Sequence, residues 1–285
     1  MPSLAPLSTV HRGPAAKVLR AVGRYDLLKR EQLERLLQVS PRHVKEPLLD
    51  LTREGYLEYR KLYINDTGSP PYVYRLTRKG YTHLVESRVA IPPRSHNKFK
   101  VTTHTQHHLS VNDAVIGAEL ATRDHPHLRL VRMLHQREVK ARHVKIEMPN
   151  GVKTTVSPDA FLEFALDGRL GGVVLEVDRD TEHDKQWRKK VVELLACGQQ
   201  KAYRQAFSSD SFVVAAIATE GETHRRQLLR WTELELDKQG KRNWGSMFSF
   251  AAGDPAKLDP AELWLGPSWM QPFARTPRTL WEGGV

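Results

Sequence analysis

One stretch of the sequence, residues 156–181, constrains the fold more than any other. It contains two strand-like segments on either side of a glycine-rich turn, and this pattern predicts a β-hairpin. Side chains of a strand alternate between the two faces of a sheet, so Glu176 and Asp178 are expected on one face and Val177 on the other. Pairing of the two segments would bring Asp159, from the first of them, beside these two carboxylates.

Three neighbouring carboxylates repel one another and need compensation. A hard divalent cation with oxygen ligands, Mg²⁺ or Mn²⁺, can supply it, and in this interpretation Asp159, Glu176 and Asp178 are metal ligands. In the alternative interpretation, Glu176 and Asp178 lie on a solvated strand face and form ion pairs with arginine or lysine. The spacing of the residues leaves both interpretations open.

Composition excludes several classes of protein. The 285 residues suffice for one or two domains, each with its own core. The sequence has no apolar run of about 18 residues that could span a membrane and no apolar segment typical of a secretion signal. The single cysteine, Cys197, excludes an internal disulfide and a cysteine zinc cluster. We therefore expect a cytoplasmic protein without a membrane partner.

The positive charge is concentrated in the N-terminal third. Residues 1–95 hold 17 Lys and Arg against 9 Asp and Glu, whereas residues 96–285 hold 27 against 24. A basic domain attracts phosphate polymers because binding releases their counterions. Double-stranded DNA is therefore an expected partner, although excess charge also serves solubility.

The N-terminal third is predicted to contain a flexible arm, residues 1–13, and a small domain, residues 14–90. Within this domain the patterns predict three helices, over residues 14–24, 30–37 and 41–54, with a turn at residues 26–28 between the first two. Two strands follow, over residues 56–63 and 72–76, and a fourth helix begins at about residue 77. This order is typical of a winged helix-turn-helix domain, whose third helix enters the major groove of DNA while the hairpin tip, or wing, contacts the backbone. A winged helix that binds protein is the alternative. A linker is predicted over residues 91–101.

Six basic residues are the predicted DNA contacts. Four lie on the third helix and two flank the wing: Arg42, His43, Lys45, Arg53, Lys61 and Arg75. The buried stripe of the third helix is predicted from its apolar spacing as Val44, Leu48, Leu49 and Leu51.

A second domain is predicted over residues 102–252, followed by a segment rich in proline and tryptophan over residues 253–285 that is expected to pack on a domain or a partner. The second domain has the predicted order helix, three strands, helix, strand and helix. This order predicts a mixed sheet with helices on its faces, and an α+β or α/β fold class. One helix is predicted over residues 182–207, and the strand over residues 211–219 is apolar enough for a central position.

This order of elements, with Pro158-Asp159 and Glu176-Val177-Asp178, resembles the PD-(D/E)XK nucleases, which have a restriction-endonuclease-like fold. The resemblance implies metal-dependent hydrolysis of DNA, with Asp159 and Glu176 holding Mg²⁺ or Mn²⁺. The chain departs from the family pattern because Asp178 stands at the lysine position. The resemblance implies that a basic or amide group of the following helix takes over. Lysines stand there at positions 185, 189, 190 and 201; the predicted substitutes are Lys189, Lys201, and Gln199 with Tyr203 at Q-x-x-x-Y spacing.

The winged-helix pattern together with the PDA, EVDRDT and KAY segments resembles the replication-relaxation family over roughly residues 15–235. The resemblance implies a role in plasmid or mobile-element DNA replication, mobilisation or supercoil relaxation. Three functions stay open. One is a DNA-binding protein with an active metal-dependent nuclease or nickase domain. The second is a non-catalytic initiator accessory or transcriptional regulator whose nuclease-like domain is degenerate, and the third is a protein-interaction scaffold. Other replication or mobilisation proteins, and a second copy of the chain in a homodimer, stay open as partners.

Overall fold

A computed structural model describes residues 13–62, 70–93, 98–123, 125–148, 150–180, 183–209 and 211–282. The chain divides into two compact units, residues 1–112 and 113–285. Residues 1–12 of the predicted arm and residues 63–69 of the predicted wing tip lie outside the described residues. None of the helices in these ranges is long and apolar enough to cross a membrane.

The first unit combines short helices with a three-stranded antiparallel sheet. The elements are α1 (Pro14–Tyr25), β1 (Leu27–Lys29), α2 (Arg30–Leu37), α3 (Pro41–Arg53), β2 (Leu57–Lys61), β3 (Tyr72–Leu76) and α4 (Arg78–Glu86). The strand order is β1-β3-β2. The predicted bounds of α2 and β3 are confirmed, but the predicted turn at residues 26–28 is wrong because Leu27, Leu28 and Lys29 pair with β3 as a strand.

Local chemistry accounts for both ends of α3. Pro41 occupies the first helical position, where its fixed φ fits the helix and its missing N–H costs no hydrogen bond. After the helix, Gly55 adopts φ 76°, a left-handed conformation that stops it. The buried side chains are Val44, Leu48 and Leu51. The rest of the helix surface is therefore left to solvent or to a partner.

The second unit is built on a five-stranded mixed sheet. In chain order its elements are α5 (Thr103–Arg123), which begins in the first unit, β4 (Leu128–His135), α6 (Gln136–Ala141), β5 (Val144–Glu147), β6 (Lys153–Val156), β7 (Ala160–Leu166), β8 (Arg169–Asp178), α7 (Asp184–Gln199), α8 (Ala202–Phe207), β9 (Phe212–Ala218), α9 (Glu222–Lys238), β10 (Phe248–Ala252) and α10 (Pro260–Leu265). The sheet order is β10-β9-β8-β7-β4, and β5 pairs with β6 separately. Strands β8, β9 and β10 are parallel, while β7 and β4 are antiparallel to their neighbours. The predicted mixture of helices and a mixed sheet is confirmed.

The hairpin predicted within residues 156–181 is formed by β7 and β8. Leu166 pairs with Arg169, which leaves a loop of Asp167 and Gly168 with φ 48° and 83°. Two positive φ values are typical of the type I′ turn that suits the twist of a hairpin, and Asp-Gly is a preferred pair for it. The apolar strand predicted after residue 211 is also confirmed, since every residue of β9 is buried between two parallel strands.

The single helix predicted over residues 182–207 is wrong. The chain forms α7 and α8 instead, and Lys201 lies between them with φ 53°. A residue in the left-handed region cannot continue a right-handed helix. Gln199 and Tyr203 therefore do not share a helical face, although they are four residues apart.

The tryptophan-rich C-terminal segment, expected to pack on a domain or on a partner, packs on the second unit. Trp264 and Trp269 are fully buried. The indole N–H of Trp269 donates to the Leu263 carbonyl at 2.7 Å, and that of Trp281 donates to the Trp264 carbonyl at 2.8 Å. Phe164 of β7 contacts both Trp264 and Trp281 with its ring. The segment thus covers one face of the sheet.

Candidate DNA-binding surface and carboxylate cluster

The basic residues predicted on α3 are all exposed. Arg42, Lys45 and Arg53 lie at i, i+3 and i+11, a spacing that places them on one face of the helix. Arg42 lies 3.3 Å from Glu46, and Arg53 lies 3.3 Å from Asp50. Ion pairs this exposed contribute little, so both guanidinium groups can exchange their carboxylate partners for phosphates. His43 is also exposed, and its Nδ1 lies 2.8 Å from the Ser40 hydroxyl.

Leu49 does not belong to the buried stripe where the apolar spacing placed it. It is 53% exposed and lies at i+7 from Arg42, on the same face as the basic residues. The helical period allows Leu48 and Leu51 to fill the core without it. An exposed leucine among cations is a group that can contact a thymine methyl in a major groove. The sequence already indicated an exposed apolar residue, since the predicted stripe had four apolar residues and the core takes only three of them.

The two residues predicted beside the wing differ in position. Lys61 is exposed at the end of β2. Arg75 is buried, with Nη2 3.6 Å from Glu58 Oε1 and its guanidinium 5.1 Å from the centre of the Phe99 ring. The prediction that Arg75 contacts DNA is therefore not supported by its position. The reason is Phe99, which lies in the predicted linker but packs with Val73 on the face of β3 that carries Arg75.

The three predicted carboxylates lie at the same end of the β7–β8 hairpin. Ala160 pairs with Leu175, so Asp159 immediately precedes β7 where it faces the last residues of β8. Asp159 is 6% exposed, Glu176 2% and Asp178 4%. The side chains are thus brought to one region, but each has its own partner in the protein.

Asp159 bonds to the neighbouring strand. Its Oδ2 accepts a hydrogen bond from the Val177 backbone N–H at 2.9 Å, and its Oδ1 lies 3.4 Å from the side-chain amide of Gln136. The β7 ladder ends at Ala160, so the carboxylate of Asp159 supplies the acceptor that the strand no longer offers to β8. The residue therefore holds the end of β8 in place.

Glu176 faces a lysine of the following helix. Lys190 Nζ of α7 lies 2.9 Å from Glu176 Oε2, and it also lies 5.6 Å from the centre of the Trp187 ring. Lys189, which was the predicted substitute, has a 71% exposed side chain and lies 3.7 Å from Glu193. Burial raises the pKa of Glu193, while Lys189 opposes this rise. The lysine that reaches the carboxylates is Lys190, one position further along the same helix.

Asp178 faces a histidine that no sequence pattern indicated. Asp178 Oδ2 lies 2.9 Å from His224 Nε2, and the two side chains are 3% and 4% exposed. His224 lies in the first turns of α9, which crosses the same face of the sheet as α7. Asp180 Oδ1 lies 3.9 Å from the same nitrogen. Only the folding of α9 back onto β8 brings this pair together.

The remaining predicted site residues lie elsewhere. The Tyr203 ring stacks edge-on with Phe212, with 4.7 Å between centroids, and Phe212 pairs with Gly172. Four residues of strand, about 13 Å, separate Gly172 from Glu176. Lys201 and Tyr203 line a pocket of about 300 Å³ at this distant end, and Gln199 is exposed where α7 ends. These three side chains are therefore not brought to the carboxylates.

The described side chains around the predicted metal site do not form a three-carboxylate ligand set. Among the residues that the structure describes, no group of three or more His, Cys, Asp and Glu side chains is arranged to hold a metal ion. Asp178 is turned to His224, so the three-carboxylate site does not fit. Mg²⁺ is held in proteins by as few as one or two carboxylates together with water and substrate oxygens. Asp159 and Glu176 fit this smaller requirement by residue type.

The chain is similar to a known protein family and, weakly, to a solved structure. A family model described as replication-relaxation matches residues 19–209. No curated protein matches the sequence. A solved structure, PadR of Bacillus subtilis in complex with operator DNA, is similar with 17% sequence identity and a TM-score of 0.23. That similarity covers 37% of this chain and 66% of PadR, slightly less than two thirds of its length, and at this TM-score it carries no argument.

Proposed function

This chain belongs to the replication-relaxation family, and we propose that it is a cytoplasmic DNA-binding protein that acts in plasmid or mobile-element replication or mobilisation. The observation that carries the proposal is the exposed basic face of α3. The order of elements in the first unit supports a winged helix-turn-helix arrangement, in which α3 would be the helix that enters the major groove.

The chemistry of the α3 face suits duplex DNA. Arg42, Lys45 and Arg53 present cations to phosphates or to guanine, and Leu49 between them offers an apolar contact to thymine. The acidic neighbours Glu46 and Asp50 lie toward one side of this face. Their exposed pairs with the arginines would be replaced by phosphate contacts at little cost.

The test measures duplex binding against salt concentration. Each phosphate contact contributes a slope of about −0.9 to log K against log salt, so Arg42→Ala with Lys45→Ala should weaken binding and reduce the slope by about 2. Fluorescence anisotropy with a labelled duplex provides the measurement. The control is Arg78→Ala, an exposed arginine on a different helix of the first unit, α4. Failure of the wild-type protein to bind duplex DNA at physiological salt would contradict the proposal.

The second candidate function is metal-dependent cleavage of DNA, and the contact between Lys190 and Glu176 next to Asp159 favours it. Asp159 and Glu176 would hold the Mg²⁺ or Mn²⁺, which when bound supplies a Lewis acid for the phosphodiester. Lys190 would place a positive charge where negative charge develops on the phosphate. This is the role that the sequence interpretation assigned to Lys189 or Lys201. The restriction-endonuclease-like architecture is part of the same candidate.

This candidate is tested on supercoiled plasmid with Mg²⁺, Mn²⁺ or EDTA. Metal-dependent nicking or cutting should be lost in Asp159→Asn, Glu176→Gln and Lys190→Met, and retained in the neighbouring control Lys189→Met. Circular dichroism of each variant separates loss of activity from loss of fold. If DNA is bound but stays intact with every metal, the non-catalytic alternative, an accessory protein or regulator with a degenerate nuclease-like domain, is supported instead.

A further inference from the structure

The β2–β3 hairpin carries three tyrosines that the proposed duplex contact does not use. Tyr59 of β2 pairs directly with Tyr74 of β3, and Tyr72 lies two residues from Tyr74 on the same face. The ring centroids of Tyr59 and Tyr72 are 5.0 Å apart, and those of Tyr59 and Tyr74 are 6.1 Å apart. These distances are those of interacting aromatic pairs. We call Tyr59, Tyr72 and Tyr74 together the tyrosine face.

The tyrosine face is open to solvent. Tyr59 is 45% exposed and Tyr72 39% exposed, and Tyr74 is partly buried. The opposite face of the hairpin carries Val73, which packs in a core cluster with Phe99 and Leu109. Burial of apolar surface by the hairpin is therefore achieved on that other side. Among the described residues, packing of the first unit leaves the contacting rings of Tyr59 and Tyr72 largely at the surface.

The tyrosine face borders a cleft with cations at its edges. Tyr72 and Tyr74 line a cleft of about 310 Å³ together with Arg30, Glu31, Pro70 and Pro71. Lys61, which pairs with Tyr72 across the strands, is exposed. Arg30 forms ion pairs with Glu31 at 3.2 Å and Glu34 at 3.1 Å. The surface thus combines tyrosine rings with the exposed Lys61 and with Arg30, whose charge is shared with two carboxylates, in a region where residues 1–95 hold 17 basic against 9 acidic residues.

We propose that the tyrosine face binds the unpaired bases of single-stranded DNA, such as the strand exposed where a duplex is locally opened. Exposed aromatic rings stack on any base, and nearby cations hold the backbone. A duplex keeps the faces of its bases inside the helix, so it cannot use these rings. The inference rests on the proposed function, because it assumes that the first unit contacts DNA. It adds that one unit would bind paired DNA through α3 and unpaired bases through the hairpin.

The test uses three labelled DNA probes of equal length and identical paired ends. The first is a continuous duplex, the second has a central bubble of unpaired thymidines, and the third has the same bubble with abasic sites in place of the bases. We expect the wild-type protein to bind the thymidine bubble about tenfold or more tightly than either of the other two, because stacking of one base changes affinity by about 5- to 150-fold.

Because Tyr59 and Tyr72 are exposed, variants at these two positions should keep the fold. Tyr59→Ala with Tyr72→Ala should reduce the preference for the thymidine bubble to about twofold or less, while duplex affinity stays within a factor of about three. The double substitution of the same tyrosines by phenylalanine keeps the rings and should keep the preference. Val85→Ala, a 49% exposed residue on α4, should behave as the wild type. Thermal unfolding of each variant verifies the fold.

The outcomes for α3 and for the tyrosine face are separable. Arg42→Ala with Lys45→Ala should lower duplex affinity and leave the thymidine-to-abasic ratio unchanged. Equal wild-type affinity for the thymidine and abasic bubbles, or an unchanged ratio in the alanine variant of the tyrosines, overturns the stacking role of this face. Bubble binding that needs the tyrosines, without any duplex binding, would support the stacking role and overturn the proposed function of α3.

Discussion

Asp159, Glu176 and Asp178 are almost equally buried, but the protein compensates each carboxylate differently. Asp159 accepts a hydrogen bond from a backbone N–H of the neighbouring strand. Glu176 faces the ammonium of Lys190, and Asp178 faces the imidazole of His224. A buried carboxylate needs a counter-charge or hydrogen bonds. The repulsion that motivated the metal hypothesis is therefore relieved by groups of the chain itself, and a smaller metal site of Asp159 and Glu176 rests on their residue type.

Cys197 provides a prediction for alkaline pH. Burial raises the pKa of its thiol from the ordinary value of 9.0 to about 12, although a hydrogen bond with the Tyr203 backbone lowers it. Above pH 9 the unfolded chain loses this proton while the folded protein keeps it. The free energy of unfolding should therefore fall as the pH rises from 9 toward 12, by about 1.4 kcal/mol per pH unit. Below pH 9 both states keep the proton, and the group causes no pH dependence.

Urea denaturation of the wild type and of Cys197→Ala at pH 7, 9, 10 and 11 measures this effect. The alanine variant should lose less stability than the wild type between pH 9 and 11, since other alkaline titrations act on both proteins equally. Parallel losses in the two proteins would show that the thiol ionises as easily in the folded state as in the unfolded state.

At the scale of elements, α7 and α9 decide which side chains meet the carboxylates. The indole N–H of Trp187 on α7 donates to the Thr232 hydroxyl on α9 at 2.9 Å, and Arg188 lies 2.9 Å from Glu235. These contacts fix the two helices side by side on the sheet. Lys190 is thereby held over Glu176. A shift of either helix by one turn would bring different residues to β8.

The pair of Asp178 and His224 gives the prediction at this scale, because it ties α9 to β8. His224→Ala removes a hydrogen-bond partner of the buried Asp178 carboxylate and should lower the free energy of unfolding by about 1–3 kcal/mol. Arg226→Ala, an exposed site on the same helix, should change it by about 0.5 kcal/mol or less.

Denaturation of the two single variants, of Asp178→Ala and of the double variant of Asp178 and His224 completes a double-mutant cycle. The double variant should cost less than the sum of its single variants, because it removes both groups of the hydrogen bond together. Additive losses would mean that the two side chains do not stabilise each other.

At the scale of the whole molecule, α5 is the helix that contributes to both compact units, because the division between them falls inside it. In the first half of this helix, the Asn112 side-chain amide donates to the Leu27 carbonyl at 2.7 Å, and His108 Nε2 lies 3.2 Å from the Tyr25 carbonyl. Gln32 of α2 donates to the Leu109 carbonyl at 2.7 Å. These contacts make the first half of α5 part of the first unit.

The predicted linker, residues 91–101, is also not a simple connection. Phe99 is buried and packs in the core cluster that contains Leu27, Leu62 and Val73. The prolines at positions 92 and 93 are typical of a linker, but an aromatic ring six residues further on can still enter the core. The first unit therefore extends beyond the winged-helix pattern, and this extension covers the side of β3 opposite to the tyrosine face.

Much of this architecture was determined by the sequence alone, because the responsible physics is local. Alternation of apolar and polar residues predicted β3, Asp-Gly suited the turn between β7 and β8, and an apolar run predicted the buried strand β9. Ser40-Pro41 and Gly55 marked the ends of α3. Each of these signals depends on backbone geometry within a few neighbouring residues, so no distant contact was needed to recognise it.

The tertiary structure decided which residues meet. Lys190 lies 14 residues from Glu176, and His224 lies 46 residues from Asp178, so their contacts depend on how α7 and α9 pack on the sheet. In the same way, Arg75 is buried beside Phe99, a residue of the predicted linker that enters the core only in the folded first unit. Neighbouring lysines on a helix are chemically identical, and only the packing angle of that helix determines which of them reaches a buried carboxylate.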